Sequence, residues 1–378
     1  MFVPVGLRSA RASLNGPWQS MLLFVVVSAV VLVFAGLILI PLESNGYALY
    51  AGIGVNNCYR VAKRYFLSGN GSSGSGNGGG SNNGQGTDIL SGQFSYKTAV
   101  AYQPKDRDDP IYRKLKTSVS SPTGEDNFFV AVNGPHDVYA GIADGVGGWA
   151  EHGYDSSAIS RELCNAIGEY SSMLGTVKNG FDVYTPKSLI QKGYDKIRKD
   201  EIVKVGGTTS LVAHFRSNGI LEVANLGDSW CGVFRENRLI FQTKFQTVGF
   251  NAPYQLAVIP KDLLEKAKRS GSSYIQNSPS DADEYVFQLA KGDVVMLATD
   301  GVTDNIGYQD MELFWGDHKK EVEMNLQQVS KKFVDNVVKL SKDPNYPSVF
   351  AQEISKLSGK TYTGGKEDDI TLVVVTVN

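Results

Sequence analysis

Two Asp-Gly steps stand at the ends of apolar runs. Ala143-Asp144-Gly145 follows Val138–Ile142, and Thr299-Asp300-Gly301 follows Val294–Ala298. A carboxylate at a buried strand end is held in a fixed direction, and the glycine behind it lets an ion or substrate approach the backbone. A third acidic group, Glu367-Asp368-Asp369, directly precedes the apolar run Ile370–Val377. Gly124-Glu125-Asp126-Asn127 stands ahead of another strand pattern, and Asn225-Leu226-Gly227-Asp228-Ser229 closes one. The Asp300 step continues as Val302-Thr303-Asp304-Asn305. One Asp-Gly is ordinary turn chemistry. Acids at the ends of several strands suggest one site assembled by folding. Clustered carboxylates repel and must be neutralised, which divalent cations do well. Oxygen donors that leave room for water suit Mg²⁺ or Mn²⁺. The chain has four histidines (His136, His152, His214, His318) and three cysteines (Cys58, Cys164, Cys231). No CxxC pair is present, which argues against a zinc site or a disulfide framework.

These acids need strands to hold them. Strand patterns cover 128–132, 138–143, 210–214, 221–226, 231–234, 238–241, 285–289, 294–298 and 370–377. Short turns such as Arg216-Ser217-Asn218-Gly219 make several of them hairpins. Helical patterns cover 156–174, 186–198, 260–269, 322–340 and 348–357, the first behind a capping Asp155. Strand pairs interrupted by a helical pair predict an α+β sandwich. Gly145-Val146-Gly147-Gly148 has no lysine, so a phosphate-binding P-loop is disfavoured. Gly206-Gly207-Thr208-Thr209 reads as a packing segment near the centre. Trp149 and Trp230, beside motif loops, read as packing residues.

The catalytic candidates all lie beyond residue 92 of the 378. Residues 1–20 form a basic arm with Arg8 and Arg11 and no acid, compatible with a targeting segment. Residues 21–40 carry no charge and are almost all apolar. As a helix they would be about 30 Å long, the thickness of a bilayer core, and predict a transmembrane span. Residues 41–92 form a juxtamembrane segment and a linker. Within it, 68–87 contains only Gly, Ser, Asn, Gln and Thr. Such a tether reaches about 25 Å. Residues 93–378 are the expected catalytic domain. A net charge of −2 gives no case for nucleic-acid binding.

Over about residues 94–378 the ordered set of five motifs resembles the metal-dependent protein phosphatases of type 2C, the PPM family. Asp144-Gly145-Val146-Gly147-Gly148-Trp149 resembles the fungal and animal mitochondrial branch. The resemblance implies a four-layer αββα sandwich of two antiparallel sheets flanked by helices. It implies two Mg²⁺ or Mn²⁺ ions per active site and a monomeric catalytic domain acting on phosphoprotein substrates. Asp144 matches the carboxylate that bridges two metals, and the Gly145 carbonyl a ligand of one. Asp300 and Asp368 match the remaining direct ligands. Glu125 and Asp126 match the first acidic pair, binding metal directly or through water. Asp228 and Asp304, with Asp300, match a weaker third metal site. Asp369 stands where the family has Asn, outside the direct ligands. The implied reaction is hydrolysis of phosphoserine and phosphothreonine by a metal-bridged hydroxide, without a phospho-enzyme. Cys164 and Cys231 read as packed residues, not nucleophiles.

Two departures stand out. Val146 replaces a histidine proposed elsewhere as general acid; His152 is the candidate substitute. Ser121 replaces an arginine that holds the substrate phosphate; Arg113, Lys114 and Lys116 are nearby cations. These gaps define the alternative, a catalytically weak or silent phosphoprotein-binding scaffold. A haloacid-dehalogenase-type phosphatase is disfavoured, because Ala143-Asp144-Gly145-Val146 lacks an Asp-x-Asp nucleophile motif. The expected location is a membrane, either the nuclear envelope and endoplasmic reticulum or the mitochondrial inner membrane.

Overall fold

The computed structural model describes residues 93–105, 121–174 and 184–378. The expected arm, span and linker, together with Arg113, Lys114 and Lys116, lie outside the described residues. Among the described residues no helix is long and apolar enough to cross a membrane.

Among the described residues, ten strands build two antiparallel sheets, and four short strands form small ribbons. In chain order the strands are β1 (Tyr96–Gln103), β2 (Asn127–Gly134), β3 (Asp137–Ala143), β4 (Gly206–Thr208), β5 (Ser210–Phe215), β6 (Ile220–Leu226) and β7 (Trp230–Arg235). They continue as β8 (Arg238–Gln242), β9 (Thr247–Gly249), β10 (Ala252–Pro253), β11 (Leu256–Val258), β12 (Asp283–Gln288), β13 (Val294–Ala298) and β14 (Ile370–Val377). One sheet runs β1-β14-β13-β7-β8 and the other β12-β6-β5-β3-β2. β9 pairs with β10, and β4 with β11, as small ribbons. The helices are α1 (Ser157–Leu174), α2 (Pro186–Asp200), α3 (Lys261–Arg269), α4 (Asp300–Thr303), α5 (Tyr308–Asp317), α6 (Lys319–Met324), α7 (Leu326–Ser341) and α8 (Val349–Ser358).

The pleat explains the layering. Along β14, Val373, Val375 and Val377 join Val138, Ile142, Leu211 and Phe215 between the sheets. The alternate residues Ile370, Leu372 and Val374 pack outward with Trp315 of α5 and Phe333 and Val337 of α7. On the other sheet Tyr139, Val212 and Leu226 pack outward with Ile159 and Leu163 of α1 and Ile190 of α2. Both sheets are covered on both faces, so their central strands are continuous apolar runs rather than alternating ones. The result is the expected four-layer α+β sandwich.

Register brings the acids to one edge. Ala298 pairs with Leu372, so the chain after β13 and the chain before β14 emerge together. Asn127 pairs with Ala143, which sets Asp126 beside Asp144. Ser210 pairs with Leu226, which brings Asp228 to the same end through β5 and β3. Thr299 Oγ1 donates to Asp126 Oδ2 at 2.8 Å, joining the two sheets at that edge.

The structure differs from the sequence reading in the short strands β4, β9, β10 and β11 and the one-turn helix α4, which had no pattern to mark them, and in three longer elements. The helix expected over 322–340 is two, α6 and α7, divided at Asn325. Asn325 is extended (φ −153°, ψ 82°), and its side chain accepts the Gln328 N–H as the cap of α7. β1 and α5 were unmarked by the pattern. β1 mixes Lys, Thr and Gln with alanines that carry little hydrophobic signal, and α5 buries only Met311 and Trp315.

Candidate metal centre

The backbone of the Asp144 loop is fixed by hydrogen bonds to the distant segment Gly207–Thr209. Asp144 N–H donates to Thr209 Oγ1 at 2.9 Å, and its carbonyl accepts both Thr209 N–H and Thr208 Oγ1 at 2.9 Å. Val146 N–H donates to the Gly207 carbonyl at 2.8 Å. The Gly206–Thr209 segment therefore holds the step in place. A Cβ on Gly145 would lie 2.5 Å from the Ser156 carbonyl and 2.7 Å from that of Glu125, so only glycine fits.

Asp369 ties the facing segments together. Its Oδ1 accepts Lys105 N–H at 2.8 Å and its Oδ2 accepts Glu125 N–H at 2.7 Å. Both oxygens thus serve backbone amides. Gly124 adopts a left-handed φ of +78°, and a side chain there would strike the Asp369 carboxylate. Glu125 is turned inward by Ser156, whose hydroxyl donates to Oε1 at 2.5 Å.

Glu125, Asp144, Gly145, Asp228, Asp300 and Asp368 line one cleft of about 170 Å³. Carboxylate oxygens of Glu125, Asp368 and Asp369 lie within 4.8 Å of one another. Asp126 is buried behind this wall, on Thr299. Asp304 lies one turn after Asp300. Two ammonium groups sit among the acids. Lys105 Nζ is 2.7 Å from Glu125 Oε2 and 3.0 Å from Asp368 Oδ1. Lys366 Nζ is 2.7 Å from Asp300 Oδ2 and 2.5 Å from Asp304 Oδ2. Neither lysine was singled out by the sequence; the available signal was a lone cation directly ahead of Glu367-Asp368-Asp369.

His152 is exposed, and its Nδ1 donates to the Gly148 carbonyl at 3.1 Å. Among the described residues no imidazole lines the cleft; Val146 lines it instead. Ser121 bonds with Thr123 and Asn127. Cys164 and Cys231 are buried, and burial raises both thiols. Trp149 stacks on Tyr274 and Trp230 on Tyr308, which gives both the expected packing role.

Among the described residues, acids outnumber lysines at this edge. Burial, then Asp300 and Asp126, raise Asp144 well above the ordinary carboxylate range. Burial, then Asp369, do the same to Asp126, and burial, then Asp300, to Asp228. Burial and Asp300 push Asp304 up to about 7 despite Lys366. Burial also acts on Asp368, but Lys105 and Lys366 outweigh it and hold that carboxyl below its usual range. A cluster of hard oxygen donors that already draws the ammonium groups of Lys105 and Lys366 fits divalent cations.

A stability prediction follows from the raised acids. Between about pH 4 and 7 the folded, metal-free chain holds more protons than the unfolded one, so its stability falls as pH rises. A cation selects the ionised form and reverses the sign. With EDTA the melting temperature should fall from pH 5 to pH 7.5, and stabilisation by Mn²⁺ should grow over the same interval. A metal-free melting temperature that climbs with pH would contradict the raised acids.

Residues 134–378 match the family model described as Stage II sporulation protein E (SpoIIE). A relative in Saccharomyces cerevisiae (strain ATCC 204508 / S288c), named protein phosphatase 2C homolog 7, mitochondrial, is 63% identical over 317 residues. That match covers 84% of this chain and 92% of the relative. The chain belongs to the protein phosphatase 2C family. Protein phosphatase PTC7 homolog fig of Drosophila willistoni is 35% identical over 272 residues, covering 70% of this chain and 82% of the relative. The X-ray structure of the photosystem II phosphatase PBCP superposes with a TM-score of 0.57 at 26% identity, covering 75% of this chain and 99% of that one. As a member of the protein phosphatase 2C family, the chain is a serine/threonine protein phosphatase, and metal dependence is general to that family.

Proposed function

We propose that the cleft holds two divalent cations, Mg²⁺ or Mn²⁺, and hydrolyses phosphoserine and phosphothreonine in proteins. The observation that supports this is the convergence of acids from five chain segments on one small cleft lined by Asp144, Asp300 and Asp368. Asp144, the Gly145 carbonyl, Asp300, Asp368 and Glu125 would hold the ions, with Asp126 behind them. Bound there, the ions supply a water of lowered pKa and positive charge for the phosphoryl oxygens. The chain's own residues give the site its rigidity. Thr208 and Thr209 hold the Asp144 backbone, Ser156 turns Glu125 inward, and Asp369 pins Glu125 to the start of β14. A phosphate dianion entering the cleft also meets Lys105 and Lys366 on its wall.

Phosphate release by the full chain from a phosphoserine or phosphothreonine peptide, compared with its phosphotyrosine counterpart, tests this. Hydrolysis of the first two with little of the third is expected; equal rates on all three would overturn the substrate class.

The name of the yeast relative places that protein in mitochondria, and we infer the same compartment here. The uncharged run 21–40 would anchor the catalytic domain to a membrane through the Gly/Ser/Asn tether. The full chain should then stay in the pellet after alkaline carbonate extraction, and deletion of 21–40 should release it. Release of the full chain would contradict the anchor.

A further inference from the structure

We propose that Lys366 is a built-in third cation: its ammonium stands where Asp228, Asp300 and Asp304 would otherwise gather a third divalent ion. The inference rests on the two-ion reading above and concerns a residue that reading does not use as a ligand.

Asp300 and Asp304 lie four residues apart and so share one helical face, where like charges repel. A positive group between them relieves that repulsion. Lys366 Nζ bonds Asp300 Oδ2 at 2.7 Å and Asp304 Oδ2 at 2.5 Å, and lies 3.4 Å from Asp368 Oδ2. It also donates to Asn251 Oδ1 at 3.2 Å. Phe350 covers it, with its ring centroid 5.3 Å away. Asp228 feels the same three charges: Asp300 and Asp304 raise its carboxyl and Lys366 lowers it.

The lysine is held there from its backbone. Asn305 is fully buried, and its side chain grips Lys366 with two hydrogen bonds. Its Oδ1 accepts Lys366 N–H and its Nδ2 donates to the Lys366 carbonyl, both at 2.8 Å. The same Nδ2 donates to the Gly301 carbonyl at 2.8 Å. Lys366 is therefore locked to the helical turn that carries Asp300 and Asp304. Behind it, a Cβ on Gly365 would lie 2.2 Å from the Leu340 carbonyl, so the loop that delivers the lysine is tightly seated. A long lysine held at its backbone, with its head between two acids and an aromatic ring over it, is a fixed charge. It sets a positive charge beside Asp304 without drawing an ion from solution.

Counting bound Mn²⁺ separates this from a chance contact. The full chain is titrated with Mn²⁺ alone and free ion is read by electron paramagnetic resonance. Wild type should saturate at two ions up to millimolar Mn²⁺. Lys366→Ala should bind a third, and Lys366→Ala with Asp304→Asn should return to two. Lys366→Arg, which keeps the charge, should stay at two, as should Asp304→Asn alone. A wild type that binds three ions, or a Lys366→Ala variant that folds by circular dichroism and stays at two, would overturn the proposal. If Lys366→Ala does not fold, Asp304→Asn decides: loss of an ion from that variant places metal, not lysine, on Asp304. Wild type that binds no Mn²⁺ would sink the two-ion reading itself, a separate outcome.

Discussion

Asp144→Asn should lower kcat by about 10²–10³-fold, the scale seen when one preorganised charge-stabilising group is removed from an active site. The same substitution should raise the melting temperature of the metal-free protein. Both effects have one cause. Burial and the neighbouring Asp300, Asp126 and Asp368 make the ionised Asp144 costly, and a cation is what would make that charge useful. An amide keeps the shape and drops the charge. The backbone bonds from Thr208 and Thr209 do not depend on the side chain, so the loop should hold its form. The pairing of lost turnover with gained stability distinguishes a functional acid from a structural one. A variant that is inactive and less stable would point to a structural role for Asp144.

Gly301→Ala should destabilise the protein by about 2–3 kcal/mol, the scale of forced overpacking. It should also weaken Mn²⁺ binding by about 10–100-fold, as displaced supporting groups do. A Cβ at Gly301 would lie 2.1 Å from the Asp369 carbonyl oxygen, which is backbone and cannot rotate away. The contact couples the turn carrying Asp300 to the segment carrying Asp368, so relief must part the two acids. Thermal melts and Mn²⁺ titration read the two effects. Wild-type melting and affinity in Gly301→Ala would show that this close approach is dispensable.

The parts of the fold legible in the sequence are those whose physics is local. β13 and β14 are predominantly apolar runs with the expected bounds, because helices and the facing sheet cover both sides of their sheet. The acids were legible because a carboxylate at the end of such a run is conspicuous. Their meeting at one edge depends on register, such as Ala298 with Leu372, which no single segment encodes. β1 was hidden because its burial comes from pairing with β14 and packing under α7, not from its own composition. Asn325 divides a continuous helical pattern because its side chain prefers to cap α7. Lys105 and Lys366 had no spacing rule to mark them. Their place follows from the charge that the folded acids concentrate, which exists only once the sheets are stacked.

The most direct test of the whole account is phosphate release from a phosphothreonine peptide by the full chain, stripped with EDTA and then given Mn²⁺. The stripped protein should show no turnover and recover on adding Mn²⁺, and Asp300→Asn should not recover at the same Mn²⁺ concentration. Turnover that survives EDTA, or an Asp300→Asn variant as active as the wild type, would contradict it.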